Sequence, residues 1–271
     1  MAIRVTEPAA LVPIRLRLPP GWREVRESAD QAVYSLVVGN ESSPRGLQGL
    51  HLLFRAEMLI AAAYKLEPVL GALESELDRR VGMDAAADRI FIRAGVVGWR
   101  GHAIVLTGPQ QSEMSALIAG LLRGGASYYS DRYAVLDPEG RIHPYARPLW
   151  LSSGVQDCPV QHLPRDLGAR AGVHPLPVRT VVFADYHCGA AAKFSPLTRS
   201  AAAAELSAKA LSCRAPAPLV QQAIARALAG SWILKGVCDE AEATLNLLLG
   251  PHHPHRVRPR RRHLMRAKPQ P

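Results

Sequence analysis

The sequence predicts an α/β protein built on a mixed sheet, and three observations favour that class. The apolar run Ala103–Gly108 has the pattern of a buried strand. After a short gap comes Ser115–Leu122, whose apolar spacing is typical of one helix face. Hydrophobic residues make up 48% of the chain and aromatic residues only 6%, as in Ala/Leu/Val-rich soluble α/β proteins. No apolar run approaches the roughly 20 residues that a membrane span requires.

Composition divides the chain into three parts. Residues 1–50 are expected to form a small N-terminal α+β part, rich in strands because Leu11–Leu18 and Gln31–Val38 both read as strands. Residues 51–250 hold the remaining periodic segments and are expected to form one larger domain. Residues 251–271 are rich in proline and arginine, a composition that predicts a disordered tail.

Within the larger domain, the periodicity predicts alternating strands and helices. Glu67–Val81 carries apolar residues on one helix face and charges on the other. Arg89–Val97 and Ala103–Thr107 flank a turn at Gly98–Gly101 and predict a hairpin. The other predicted strands are Leu50–Phe54, Ala126–Ser130, Tyr133–Asp137, Arg141–Tyr145 and Arg179–Ala184; the other predicted helices are Arg199–Cys213, Pro218–Ala229 and Glu240–Leu249.

The positive charge is concentrated in the tail. The net charge is +10, and seven basic residues with no acid lie between Arg256 and Lys268. Such a tail can contact polyanions such as nucleic acid, or an anionic membrane surface.

The four cysteines are widely spaced and form no C-x-x-C pair, so we expect reduced thiols. The N-terminus lacks the apolar core of a signal peptide, which predicts a cytoplasmic protein.

The segment between the predicted strand and helix has the layout of a phosphate-binding loop with altered residues. The Walker A pattern G-x-x-x-x-G-K-[ST] aligns with Gly108–Ser115. Gly108 and Ser115 fit, but Glu113 stands in place of the second glycine and Met114 in place of the lysine. The glycine gives phosphate oxygens access to the backbone, and the lysine neutralises their charge. The sequence therefore predicts a nucleotide-binding scaffold with impaired nucleotide chemistry.

Two segments after the loop carry a resemblance to a known family. Together with the loop, Tyr129–Leu136 and Gly140–Tyr145 resemble the C-terminal domain of HPr serine kinase/phosphorylase-like proteins, particularly bacterial members of that superfamily. The resemblance implies that residues 51–250 adopt a mixed-sheet P-loop fold of the HPr-kinase and phosphoenolpyruvate-carboxykinase type. In that family, ATP and Mg²⁺ drive phosphoryl transfer to a serine of a protein or peptide. Family members are often oligomeric, so the resemblance also implies a homo-oligomer.

The family's site residues carry over onto this sequence only in part. The resemblance places the phosphate loop at Gly108, Ser112, Glu113, Met114 and Ser115. It makes Asp131 the vestigial catalytic residue, with Arg132 where the family has a second acidic residue. It also makes Ser115 and Asp131 the Mg²⁺ ligands. The residues leave plainer alternatives open, because serine favours a helix N-terminus and aspartate favours turns.

Three functions follow from these observations. The replaced residues favour a catalytically impaired pseudokinase that acts by binding a protein or peptide partner. The alternative is an active ATP-dependent serine kinase with an atypical loop. Phosphoryl transfer depends on positioning and charge neutralisation, so the replaced lysine counts against that alternative. A further alternative is anionic-surface or nucleic-acid binding through the basic tail.

Overall fold

A computed structural model describes residues 2–24, 33–40, 47–84, 89–108, 111–151, 160–187, 189–211, 215–238 and 242–250. The predicted disordered tail, residues 251–271, lies outside this range. The described part is a mixed α/β protein, as the sequence predicts. Of the helices in this part, none is both long and apolar enough to cross a membrane.

The N-terminal unit is a four-stranded sheet with two helices. Its strands lie in the order β1-β2-β3-β4, with β1 parallel to β2 and the other pairs antiparallel. One face of the sheet packs on the second helix around Leu53, Leu70 and Leu73, which are fully buried. The elements are β1 (Ala2–Val5), α1 (Leu11–Arg15), β2 (Val33–Val37), β3 (His51–Arg55), β4 (Met58–Ala63) and α2 (Leu66–Asp84).

Two features of this unit differ from the sequence prediction. Leu11–Leu18, predicted as a strand, contains helix α1 instead. The buried Ile14 lies four residues after the buried Ala10, which is the spacing of one helix face. Pro13 is compatible with the helix because residues in its first turn need no backbone N–H donor. The sheet also continues across the boundary predicted at residue 50, because β3 pairs directly with β2.

The second unit is a larger mixed sheet flanked by helices. Nine strands are hydrogen-bonded into it, and β7, β13 and β15 form a parallel centre. A separate two-stranded ribbon is made by β11 and β12. The elements are β5 (Ile90–Arg93), β6 (Gly95–Trp99), β7 (His102–Thr107), α3 (Gln111–Arg123), β8 (Ser127–Ser130), β9 (Tyr133–Leu136), β10 (Arg141–His143), β11 (Leu149–Leu151), β12 (Val160–His162), β13 (Leu176–Tyr186), β14 (Lys193–Pro196), α4 (Arg199–Ala208), α5 (Ala217–Ala229), β15 (Trp232–Cys238) and α6 (Glu242–Leu249).

The central sheet is covered on both faces. Ile104 and Leu106 of β7 pack on the side of α3 and α6, while Val105 between them packs on the side of α4 and α5. This alternation follows from the two-residue period of a strand. Because both faces are buried, the central strands are apolar throughout, as expected for parallel strands between helices.

The hairpin predicted around residues 98–101 is present between β6 and β7. Trp99 pairs with His102, and the two residues between them have positive φ angles, 48° at Arg100 and 77° at Gly101. This is the backbone of a two-residue type I′ turn, which matches the twist of the flanking strands. The segment Arg89–Val97, predicted as one strand, is two strands, β5 and β6, that pair with different partners.

Candidate functional site

The predicted phosphate loop lies at the carboxyl end of the parallel strands. Gly108 follows β7 directly, and β13 and β15 end nearby at Tyr186 and Cys238. In α/β sheets, ligands bind outside the carboxyl ends of parallel strands. The fold thus places the predicted site where a ligand of this class of protein would bind.

Gly108 is required by strand packing. A Cβ atom at this position would lie 2.5 Å from the backbone oxygen of Ala184, on the neighbouring strand β13. Only glycine therefore fits without moving the backbone. Its presence is explained by the contact between β7 and β13, without reference to a phosphate.

Met114, which stands in place of the Walker lysine, is part of the core. Its side chain is 7% exposed and belongs to the apolar cluster between the sheet and α3. Its Cγ and Cε atoms lie against Gly95 and Gly108, where added Cβ atoms would be 3.1 and 3.4 Å away. The glycines make room for this side chain, so position 114 is built to bury an apolar group.

Helix α3 begins earlier than a Walker A loop allows. It starts at Gln111, so only residues 108–110 separate it from β7. Residues 112–115 are therefore helical, whereas the Walker A pattern spreads a phosphate-wrapping loop over the segment between its two glycines. The side chains of Ser112 and Glu113 lie outside the described residues.

Ser115 and Asp131, the predicted Mg²⁺ ligands, are brought together. Ser115 Oγ donates to Asp131 Oδ2 at 2.8 Å, and Tyr128 Oη donates to Asp131 Oδ1 at 3.0 Å. Both Ser115 and Asp131 are 3% exposed. Burial, and secondly the charge of Asp131, raise the pKa of Tyr128 well above its ordinary value, so the tyrosine stays protonated as a donor. Among the described residues, no group of three or more His, Cys, Asp or Glu side chains could hold a metal.

Arg132 faces helix α2 and belongs to a buried ionic cluster. It forms ion pairs with Glu74 at 3.0 Å and with Asp78 at 3.9 Å. Arg147 forms ion pairs with the same acids, at 3.1 Å to Glu74 and 2.6 Å to Asp78. Tyr145 Oη donates to Asp78 Oδ1 at 2.9 Å. The cluster joins the N-terminal unit to the second unit.

Burial changes the protonation of this cluster. Asp78 is fully buried, and desolvation raises its pKa from 3.8 to about 6, although Arg147 and the Tyr145 hydrogen bond act in the opposite direction. Desolvation likewise raises the pKa of Tyr145. The cluster therefore contains a carboxyl group that titrates in mildly acidic solution.

Sequence reasoning missed the acids of this cluster. Glu74 and Asp78 were expected on the charged, outward face of the helix at residues 67–81, but they are 3% and 0% exposed. A signal was present, because Leu70 and Leu77 lie four and three residues from Glu74 and therefore share its helix face. The prediction failed because it assigned every charge to the solvent side.

One cation does approach the loop, from a part of the chain that the motif does not include. Lys209, which follows α4, donates from Nζ to the backbone oxygen of Gly108 at 3.3 Å. Its backbone oxygen accepts a hydrogen bond from the N–H of Arg93, which ties the end of α4 to strand β5. Lys209 is thus held beside the carboxyl end of β7, on the opposite face of the sheet from α3.

Comparisons of the chain with protein-family models, with curated proteins and with solved structures give no match.

Proposed function

We propose that this chain is an HPr-serine-kinase-like pseudokinase, an α/β domain of P-loop type that acts by binding a protein or peptide partner. The family resemblance suggests the scaffold, and the position of strand β7 and helix α3 at the carboxyl end of the parallel strands supports it. The contact between Ser115 and Asp131 supports the same reading, because these are the positions where the family holds Mg²⁺.

The main support for impaired nucleotide chemistry is the burial of Met114. A working loop needs a cation that reaches the outer phosphates. Here that position lies in an apolar cluster and holds a thioether. Loss of one electrostatic contact to the transferring group typically costs on the order of 3 kcal/mol of transition-state stabilisation. ATP and Mg²⁺ are accordingly proposed to bind weakly or not at all.

Calorimetric titration of the full chain with ATP·Mg²⁺ tests this proposal. We expect no saturable heat up to millimolar nucleotide. A dissociation constant in the micromolar range or tighter would contradict the proposal, as would phosphate transfer to a serine peptide.

Lys209 favours a second candidate, an active kinase with an atypical loop. Its ammonium group lies at the carboxyl end of β7, where a cation could neutralise a phosphate that the missing Walker lysine leaves uncompensated. If this candidate is correct, wild-type protein binds ATP·Mg²⁺ and Lys209→Met lowers the affinity at least tenfold. The matched control is Lys193→Met, on the exposed strand β14, which should leave the affinity unchanged.

A further inference from the structure

Within the described residues, strand β1 lies at the edge of its sheet. Thr6 N–H donates to the backbone oxygen of Leu36 on β2 at 3.2 Å. Backbone groups point to alternate sides along a strand, so the N–H and C=O groups of Ile3 and Val5 point away from β2. Within the described residues, no strand pairs with β1 on that side. Such an edge is a template on which another extended chain can pair.

An open groove lies beside this edge. Its volume is about 590 Å³, within the usual range of ligand pockets. Apolar side chains from β1, from α1 and from the segment after it line most of its surface, among them Ile3, Leu11, Leu18 and Trp22. Trp22, the largest of these side chains, is 43% exposed at the groove.

The charges at the groove favour an acidic partner. The charged residues that line it are Arg15, Arg23 and Glu24. Arg15 and Glu24 neutralise each other through an ion pair at 3.2 Å. Among the described residues that line the groove, Arg23 is therefore the positive charge in excess.

We propose that the β1 edge and its groove bind an extended peptide that is apolar at alternate positions and carries an acidic residue near Arg23. The peptide adds a strand next to β1, with its backbone hydrogen-bonded to Ile3 and Val5. Alternate side chains of an extended chain share one face, so every second residue enters the groove. This inference rests on the proposed function, because it gives the peptide partner of the pseudokinase a site, at a distance from the nucleotide loop.

The test uses peptides selected on the full-length chain. Random dodecapeptides displayed on phage are selected on the immobilised protein, and the tightest is synthesised as the probe for calorimetry. We expect an alternating apolar pattern with at least one acidic residue. Ile3→Pro removes an outward N–H and should weaken probe binding about tenfold. The matched control Ile3→Ala keeps that N–H and should retain most of the affinity.

Two further measurements keep the test decisive even where Ile3→Pro disturbs folding. Two versions of the probe are also tested on the unchanged protein, each N-methylated at every second amide but in opposite registers. The version that blocks the amides facing β1 should not bind, and the other version should bind as before. Arg23→Glu should weaken binding three- to fivefold, the size of an exposed ion pair, while Arg165→Glu, at a distant exposed site, should not.

The proposal is overturned if no dodecapeptide is enriched, or if the enriched peptides are insensitive to both Ile3→Pro and N-methylation. A wild-type dimer in light scattering that is lost in Ile3→Pro would also overturn it, because a second copy would then occupy the edge. Failure here is distinguishable from failure of the proposed function. The peptide titration reports only on the groove, whereas the ATP·Mg²⁺ titration reports only on the loop.

Discussion

Ser115 Oγ and Asp131 Oδ2 are joined by a buried hydrogen bond of 2.8 Å, which links the first half of α3 to the bend after β8. The other carboxylate oxygen accepts from Tyr128. Each oxygen of Asp131 therefore accepts a hydrogen bond from a protein hydroxyl group.

Removing the Ser115 hydroxyl should destabilise the protein. Ser115→Ala leaves Asp131 Oδ2 without that donor in a buried site, and we expect a loss of about 1–3 kcal/mol in the free energy of unfolding, measured in urea. Asp131→Asn combined with Ser115→Ala in a double-mutant cycle should show coupling of at least about 0.5 kcal/mol. Additive effects would mean that the two side chains do not interact in solution.

Restoring the Walker lysine should damage the fold. Met114→Lys places a cation in the apolar cluster, and we expect several kcal/mol of destabilisation and a clear fall in Tm. The matched control Met114→Leu keeps the volume and apolar character, so it should cost less than about 1.5 kcal/mol. A stable Met114→Lys variant that gains ATP·Mg²⁺ affinity would show instead that position 114 reaches a phosphate site.

Much of the second unit could be predicted because local patterns and tertiary packing agree there. The strand at 103–107 is apolar at every position, and a strand buried on both faces requires that. The turn at Arg100 and Gly101 carries its own signal, because a two-residue hairpin favours glycine where φ is positive. In contrast, β14 and β15 were missed, since Trp232–Cys238 carries a lysine and a glycine that interrupt the apolar run.

The candidate site was harder to predict, because long-range contacts determine it. Ser115 and Asp131, which the sequence analysis assigns to one site, do lie together. The partners of Arg132, however, lie more than 50 residues earlier in the chain. A single sequence gives no measure of which charges meet across two units. The burial of Met114 depends likewise on Gly95 and Gly108, whose missing side chains leave the space that it fills.

Replacing Arg132 with glutamate should destabilise the interface between the two units. Arg132→Glu removes the cation paired with Glu74 and adds a third carboxylate beside Asp78, so we expect a loss of about 3–5 kcal/mol. Lys235→Gln is the control, since it breaks an exposed pair with Glu205 and should have a much smaller effect on the free energy of unfolding. Equal effects of the two changes in urea unfolding would contradict the structural role of Arg132.

Asp78 should make the stability of the folded protein depend on pH. Its pKa is raised to about 6, so between about pH 4 and 6 the folded state holds a proton that the unfolded state has released. The free energy of unfolding must then fall as pH rises through this window, and level off above it. The difference between the folded and the unfolded pKa of Asp78 corresponds to roughly 3 kcal/mol in the free energy of unfolding. Glu74 lies near this carboxyl on the same helix, and the groups that face it from neighbouring elements are Arg132, Tyr133, Tyr145 and Arg147.

Asp78→Asn isolates that contribution from the other titrating groups. Glu76, on the same helix, has a pKa lowered by Arg79 and therefore contributes a slope of the opposite sign. Asparagine keeps an oxygen that can accept from Tyr145 but does not titrate. We therefore expect the wild type to lose stability relative to Asp78→Asn as pH rises from 4 to 6, measured by urea unfolding at unit pH intervals. Parallel curves for the two proteins would show that Asp78 keeps an ordinary pKa in the folded state.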